Sequence, residues 1–357
     1  MDNELAVIAE STLEGKAWML DGVVEGLSSN QLPFAPGVIP SSDTPAEGLA
    51  PALRVMAFED LLKARFPARE LLLDPIITTQ SINMLHAWRG IGKTHVGLGI
   101  AYAVASGGAF LKWKAAKPRA VLYLDGEMPG YSLQERLQQI QESNDKDPPD
   151  GFFKILTPDL QEPGNMPDLS TLEGQAAVER ILTPDISLIV VDNISCLCRT
   201  GRENEAESWN LVQAWALRQR AAGRAVLFIH HSGKNGEQRG ASKREDILDT
   251  VIKLKRPADY ESTQGARFEV VFEKARNITG EDTEGFEAHL ATSASTGMQG
   301  WVYTDLAKTN FDKVVELSNE GLSQSEIANE LQLNRSTVNR NYRKAREMGL
   351  ITIPEKK

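Results

Sequence analysis

The sequence predicts an α/β fold with a mainly parallel sheet, joined to a small all-α unit. From about residue 52 to residue 305, short apolar runs alternate with stretches that have the period of a helix. From about residue 308 the pattern is helical, and residues 335–357 carry a net charge of +5. Five prolines between positions 33 and 51 predict an N-terminal arm and linker. We therefore expect an arm over 1–51, an α/β domain over 52–305 and a helical domain over 308–357.

The individual elements follow from their residue patterns. Apolar, β-branched composition predicts seven strands: Ile82–Ala87, Ala120–Leu124, Phe152–Leu156, Leu188–Val191, Ala225–Ile229, Thr250–Leu254 and Phe268–Phe272. Helices are expected near 93–106, 132–142, 170–183 and 203–222, the third capped by Ser170 with Glu173. Trp209 and Trp215 are expected in the core or at a subunit contact rather than as a platform for stacked bases. Cys196 and Cys198, as alternating residues, are expected to share one buried face.

Composition and charge exclude several classes of protein. The 357 residues are 41% hydrophobic and 25% charged, which excludes a disordered or collagen-like chain and favours more than one unit. The longest uncharged apolar stretch has sixteen residues, whereas a membrane span needs about 20, so no membrane association is expected. An acidic N-terminus lacks the features of a signal peptide, and two closely spaced cysteines predict a reducing, cytoplasmic setting.

A phosphate-binding loop is the strongest functional signal in the sequence. Ala87-Trp-Arg-Gly-Ile-Gly-Lys-Thr94 follows a predicted strand and opens a predicted helix, as a P-loop requires. Backbone N–H groups near the glycines can surround phosphate oxygens, while Lys93 reaches the β- and γ-phosphates and Thr94 holds Mg²⁺. Ala87 replaces the usual first glycine of the motif. The predicted nucleotide-binding residues are Ala87, Trp88, Arg89, Gly90, Ile91, Gly92, Lys93, Thr94 and His95, with ATP and Mg²⁺ as ligands.

Two acidic residues complete the predicted chemistry. Asp192 ends the apolar run Ile186–Val191. Taken alone, it would be better interpreted as a helix cap, but beside a P-loop it is expected to bind Mg²⁺. Asn193, not Glu, follows it, so the arrangement of many ATPases with an adjacent glutamate is missing. Glu127 instead follows the strand that ends at Leu124, in a position to orient the attacking water.

These motifs carry a family resemblance. The Ala87–Thr94 loop, Asp-Gly-Glu127, Val-Val-Asp192 and His230-His231-Ser-Gly-Lys234 together resemble the RecA/DnaB-type ATPases. They are most similar to the plasmid RepA-type hexameric replicative helicases and their relatives on mobile elements. The resemblance covers roughly residues 52–305 and implies a RecA-like fold.

The resemblance also implies roles for basic and histidine residues. His230, at a strand end, would sense the γ-phosphate; the alternative is a solvated histidine pair. Lys234, Lys243 and Arg244 lie in a stretch that looks like the loop contacting single-stranded nucleic acid, or else is an ordinary exposed loop. A cation from the neighbouring subunit would complete each site, which implies a ring, most simply a hexamer. Its candidates stay open between Arg239 and the pair Lys274 and Arg276.

The C-terminal residues predict a helix-turn-helix. Ser323 and Glu326 form a capping box, and Ile327, Ala328 and Leu331 give the first helix an apolar face. Val338, Tyr342 and Ala345 would bury the second helix. Its other face shows polar and basic groups that can reach phosphates or base edges: Arg335, Ser336, Asn339, Arg340 and Arg343. A helical hairpin used only for protein contacts is the alternative.

Together these features predict an ATP-dependent motor that acts on single-stranded and duplex DNA. The specific hypothesis is a ring-shaped replicative DNA helicase of a plasmid or other mobile element. The alternatives are an ATP-switched DNA-binding regulator and a partition or defence ATPase.

Overall fold

The computed structural model describes residues 54–199, 205–232, 246–294 and 297–352. The chain divides into two compact units, Met1–Pro67 and Ala68–Lys357. In the first unit, the described residues contain one helix, α1 (Phe58–Lys63), whose side chains are exposed. The predicted arm and linker over 1–51 lie outside the described residues. The three-part division of the chain therefore stays a prediction.

The second unit contains the sheet, the helices around it and a C-terminal helical part. Its strands are β1 (Leu71–Leu73), β2 (Ile77–Thr78), β3 (Ile82–Ala87), β4 (Ala109–Phe110), β5 (Trp113–Lys114), β6 (Ala120–Asp125), β7 (Phe153–Leu156), β8 (Ile186–Asp192), β9 (Ala225–His231), β10 (Thr250–Lys255), β11 (Arg267–Ala275), β12 (Phe286–Thr292) and β13 (Gln299–Asp305). Its helices are α2 (Lys93–Ser106), α3 (Gly130–Glu142), α4 (Leu172–Glu179), α5 (Ile194–Leu197), α6 (Glu205–Ala221), α7 (Leu306–Asn319), α8 (Gln324–Glu330) and α9 (Arg335–Glu347).

The main sheet has the strand order β13-β12-β11-β10-β3-β9-β8-β6-β7 in the described part of the chain. The six strands from β10 to β7 are mutually parallel, while β11, β12 and β13 extend the β10 edge in antiparallel fashion. In the described residues, helices lie between β3 and β6, between β6 and β7, between β7 and β8 and between β8 and β9, as the alternating pattern predicted. The predicted α/β fold with a mainly parallel sheet and a small all-α domain is confirmed.

Two apolar layers cover the faces of this sheet. On one face, α2 packs over residues such as Tyr123 and Ile229, and on the other, α6 contributes Trp209, Val212 and Trp215. Trp209 and Trp215 are buried, so the prediction that they belong to the core is confirmed. The strand interiors are apolar on both sides, which is the expected composition of a sheet buried between helices.

Two local predictions were wrong. Helix α4 is capped by Thr171, whose side chain accepts a hydrogen bond from the Gly174 N–H, and not by Ser170. Cys196 and Cys198 do not share a buried strand face. The Asn193 side chain accepts from the Cys196 N–H and starts the short helix α5, leaving both cysteines half-buried.

Strands β12 and β13 were not predicted. Only Phe286 and Ala288 of β12 are buried, and β13 is a largely exposed edge strand. A strand with one exposed face and few apolar residues gives a weak sequence signal, because its stability comes from pairing with its neighbour.

Helices α7, α8 and α9 form the C-terminal part around a small core of Val314, Ile327, Ala328, Val338 and Tyr342. The predicted capping box is present: Ser323 accepts from the Glu326 N–H, and the Glu326 carboxylate accepts from the Ser323 N–H at 2.8 Å. The two-helix arrangement of α8 and α9 therefore confirms the predicted helix-turn-helix. None of the helices in the described ranges has the length and apolar character of a membrane-crossing segment.

Candidate functional site

The segment 88–92 turns sharply between β3 and α2. Gly90 has φ +73° and Gly92 has φ +120°, conformations that side-chain-bearing residues rarely adopt. A Cβ at Gly92 would also approach the Phe268 ring at 3.4 Å. The two glycines thus allow the chain to wrap back over the N-terminus of α2, where backbone N–H groups and the helix dipole favour an anion.

The Lys93 ammonium group lies inside this loop. It donates hydrogen bonds to the carbonyl oxygens of Ala87 at 3.1 Å and Trp88 at 3.0 Å. Burial lowers the pKa of Lys93 to about 8, and the nearby carboxylates of Asp192 and Glu127 oppose this effect. A buried ammonium held by neutral carbonyls would gain stronger partners from phosphate oxygens.

Two oxygen-bearing side chains meet near Lys93: the Asp192 carboxylate at the end of β8 and the Thr94 hydroxyl in the first turn of α2. Asp192 is buried, and burial raises its pKa to about 6. Its carboxylate accepts a hydrogen bond from the Tyr123 hydroxyl at 2.7 Å and another from the Thr94 side chain. Gly97 of α2 leaves room for this arrangement, since a Cβ there would lie 3.1 Å from the Tyr123 hydroxyl and 2.4 Å from Ile229.

This pair fits a magnesium ion. Magnesium is usually bound through one or two protein oxygens, with water and substrate phosphates completing its shell. The buried carboxylate of Asp192 next to the Thr94 hydroxyl offers that donor set. Among the described residues, no cluster of three or more His, Cys, Asp or Glu side chains could hold a metal ion alone, so phosphate oxygens would have to contribute.

Glu127 follows β6 at the same edge of the sheet. The Asn193 amide donates to its carboxylate at 2.6 Å, and His231 Nε2 lies 3.7 Å from the same oxygen. Asn193 also contacts His231 Nε2 at 3.2 Å. Burial lowers the pKa of His231, which keeps its ring neutral near pH 7 and lets Nε2 accept this hydrogen bond. The Glu127 carboxylate itself is mostly exposed, as a group that activates water must be.

The Asp125 side chain stabilises the turn that contains Glu127. The Asp125 carboxylate accepts hydrogen bonds from the backbone N–H groups of Glu127 at 3.3 Å and Met128 at 3.2 Å. Its second oxygen accepts from the Thr157 hydroxyl at 3.0 Å. Burial raises the pKa of Asp125.

The two histidines at the end of β9 have different positions. His231, and not the predicted sensor His230, contacts Asn193 and Glu127. His230 is buried and pairs with His86 of β3 in the sheet register. The alternation of side chains along a strand separates neighbouring residues onto opposite faces and could have distinguished them. The role of His230 as a sensor stays a prediction.

The other predicted nucleotide-binding residues differ in their exposure. Trp88 and Arg89 are exposed, and Ile91 is buried. Burial, together with Arg136, lowers the pKa of His95 to about 4, so this ring is neutral. Arg256, which sequence reasoning missed, reaches the loop from the end of β10, where its Nη2 donates to the Gly90 carbonyl at 3.4 Å.

Lys274 and Arg276, two of the three candidates for the cation supplied in trans, do not lie at this P-loop. Lys274 pairs in register with Val251 near the start of β10. It therefore lies at the N-terminal ends of the parallel strands, whereas the P-loop follows the C-terminal end of β3. Arg276 follows β11 and donates to the Asp246 carbonyl at 2.9 Å. Arg239, Lys234, Lys243 and Arg244 lie outside the described residues.

The predicted DNA-binding side chains share one exposed face of α9: Arg335, Ser336, Asn339, Arg340 and Arg343. The opposite face is buried through Val338, Tyr342 and Ala345, as predicted. Asn339 donates to the Gln324 side chain at 3.0 Å and so connects α9 to α8. The exposed face carries three arginines that are oriented away from the small core.

Two family models match separate parts of this chain. Residues 49–237 match the family model described as an AAA domain, and residues 317–352 match one described as a winged helix-turn-helix DNA-binding domain. No curated protein matches the chain. Among solved structures, it is similar to a KaiC-like protein from the hyperthermophilic archaeon Pyrococcus horikoshii OT3, with 14% identity and a TM-score of 0.44 over 65% of this chain and 93% of that chain.

Proposed function

Because the chain belongs to the AAA domain family, we propose that it hydrolyses ATP at the Ala87–Thr94 loop and couples this reaction to action on DNA. The observation that carries the proposal is the convergence of Lys93, Thr94, Asp192 and Glu127 at one edge of the sheet. Three separate segments supply these groups, so their meeting reflects the fold and not a single local motif.

The roles follow from the contacts. Lys93 would exchange its bonds to the Ala87 and Trp88 carbonyls for bonds to the β- and γ-phosphates. Thr94 and Asp192 would hold Mg²⁺, which supplies positive charge to the phosphates when it is bound. Glu127 would accept a proton from the attacking water, and the Asn193 amide fixes the direction of its carboxylate.

The finer proposal is a ring-shaped replicative DNA helicase of a plasmid or other mobile element. It is supported by the resemblance of the ordered motifs to RepA-type helicases. The positions of Lys274 and Arg276, away from the P-loop of their own chain, also suit a cation that serves a neighbouring copy. In a hexameric ring, Arg239 or this pair would complete the adjacent site, while Lys234, Lys243 and Arg244 would contact single-stranded DNA.

The test is ATP turnover measured with and without single-stranded DNA, followed by strand displacement on a forked duplex. We expect single-stranded DNA to stimulate turnover and strand displacement to require ATP. Turnover that is indifferent to single strands, with no displacement, would rule out the helicase and leave the ATPase proposal intact.

A second candidate function is an ATP-switched regulator that binds duplex DNA. The observation that favours it is the exposed face of α9, whose arginines have the arrangement of a recognition helix. In this case the preferred ligand is a duplex of defined sequence, and slow ATP turnover controls occupancy of the site.

The contribution of α9 can be measured directly. The double variant Arg340→Ala/Arg343→Ala is expected to weaken duplex binding by about 10-fold or more, because two charge-assisted phosphate or base contacts are lost. Lys308→Ala, which removes a positive charge from the neighbouring helix α7, serves as the matched control and should stay within about twofold of the wild type. Equal duplex affinity of the double variant and the control would contradict a DNA-binding role for α9.

A further inference from the structure

Residues 256–266, named here the bridging loop, connect β10 to β11 and contact the P-loop at their first residue. The Arg256 guanidinium donates to the Gly90 carbonyl, and a Cβ on Gly90 would lie 3.8 Å from the same Nη2 atom. The guanidinium also lies over the Tyr260 ring, 4.4 Å from its centroid. Stacking of this kind fixes the plane of an arginine while leaving its N–H groups available.

The bridging loop is braced internally. The Tyr260 hydroxyl donates to the Gly265 carbonyl at 3.0 Å, and Glu261 and Gln264 form a capping box over a single 3₁₀ turn. Arg267, the first residue of β11, donates to both carboxylate oxygens of Asp259 at 3.1 and 3.2 Å. These contacts connect Arg256 and Asp259 within one hydrogen-bonded segment, through which we expect a displacement at Arg256 to reach Asp259.

Asp259 makes the second contact between the bridging loop and the rest of the protein, with helix α7 of the C-terminal part. Its carboxylate lies 3.1 Å from the ammonium group of Lys313 in α7. Burial alone would raise the pKa of Asp259, but the hydrogen bonds from Lys313 and Arg267 hold it below its ordinary value. Since α7 packs on α9, this ion pair joins the bridging loop to the helix that exposes the arginine face.

We propose that the bridging loop makes the DNA affinity of the helix-turn-helix depend on the nucleotide at the P-loop. Arg256 contacts the nucleotide phosphates, and the Asp259–Lys313 ion pair transmits the change to α7. The inference rests on the nucleotide and DNA binding proposed above and adds the connection between them.

The chemistry of Arg256 supports the first step. Its 3.4 Å contact with a neutral carbonyl is long for a hydrogen bond, and a guanidinium binds phosphate oxygens more strongly than a peptide carbonyl. A nucleotide on the P-loop would therefore attract Arg256 away from Gly90. The stacked ring of Tyr260 and the braced loop would follow this movement.

The second step requires that the geometry of the Asp259–Lys313 ion pair differ between the nucleotide-free and the nucleotide-bound protein. Asp259 and Lys313 belong to different parts of the unit and are the charged contact between the bridging loop and α7 in the described residues. A connection of this kind can change the affinity of a distant ligand by about 5–150-fold. By reciprocity, DNA on α9 would change the affinity for nucleotide by the same factor.

The experiment measures duplex DNA affinity without nucleotide and with a non-hydrolysable ATP analogue. For the wild type we expect the two dissociation constants to differ by at least about 5-fold. In Lys313→Ala this ratio should fall to within about twofold of one, while ATP turnover without DNA stays within about twofold of the wild type. Lys308→Ala removes the same charge from the same helix but breaks no ion pair with any described residue, and it should keep the wild-type ratio.

A second variant tests the contact at the other end of the loop. Arg256→Gln should weaken binding of a fluorescent ATP analogue by about 10-fold, because one charge-assisted contact is lost, and should abolish the nucleotide effect on DNA affinity.

The possible outcomes separate the two proposals. A wild-type ratio of one, or an unchanged ratio in Lys313→Ala, overturns the coupling while nucleotide and DNA binding remain in place. Failure of the wild type to bind either nucleotide or duplex DNA overturns the proposed function, and the coupling falls with it.

Discussion

Replacing Lys93 with methionine is expected to lower ATP turnover by about 10²–10³-fold or more, as the loss of one preorganised charge contact to the reacting group does in other enzymes. The Lys93 ammonium group is buried, donates to two loop carbonyls and is influenced by the nearby carboxylates of Asp192 and Glu127. No other lysine of the described residues lies inside the P-loop, so no second lysine there takes its place at the phosphates.

The nucleotide-free Lys93→Met protein should nevertheless be folded. Burial disfavours the charged form of Lys93, as its pKa of about 8 indicates, and methionine fills a similar volume without that cost. We expect its unfolding temperature without nucleotide to equal or slightly exceed that of the wild type. Saturating ATP, which should stabilise the wild type by about 2.7 kcal/mol at a hundredfold excess over Kd, should have almost no effect on the variant.

Thermal unfolding and turnover therefore form one test. Lys308→Ala again provides the control, since it removes an exposed lysine charge far along the sequence and should change neither quantity. Near-normal turnover in Lys93→Met, or an unchanged stabilisation by ATP, would contradict the assignment of the P-loop as the nucleotide site.

The features that the sequence predicted correctly are those with a local signal. The Ala87–Thr94 loop depends on a strand, two glycines and a helix start that are adjacent in the chain. The capping box of Ser323 and Glu326 spans four residues, and the buried face of α9 follows from helical spacing. Each of these features is determined by residues close to it in the chain, so it does not depend on contacts between distant segments.

The features that were missed depend on contacts between distant segments. Arg256 lies 166 residues after Gly90, and no local pattern connects the two. Asn193 and Glu127 meet only because β6 and β8 are neighbouring parallel strands. Likewise, because β11 runs antiparallel to β10, Lys274 and Arg276 lie at the end of the strands opposite to the P-loop. Their spacing in the sequence does not reveal this direction.

Glu127→Gln is expected to retain ATP binding and to lose about 10²–10⁴-fold in turnover, the range typical of a general base. The amide keeps the size of the side chain and an oxygen for the Asn193 donor, but it cannot accept a proton from water. Glu142→Gln changes an exposed carboxylate at the end of α3 and should behave as the wild type.

The variant Asn193→Asp separates the orientation of the Glu127 carboxylate from its role as proton acceptor. Aspartate keeps the oxygen that caps α5 at the Cys196 N–H, but it loses the amide donor to Glu127 and sets a second negative charge beside it. We expect a smaller loss of turnover, about 10-fold, with the fold of the α5 region preserved. If Glu127→Gln left turnover near normal while Asn193→Asp abolished it, the base would have to be sought elsewhere. With the predicted order of effects, Glu127 is the group that accepts the proton, and Asn193 acts on the reaction through the direction in which it holds that carboxylate.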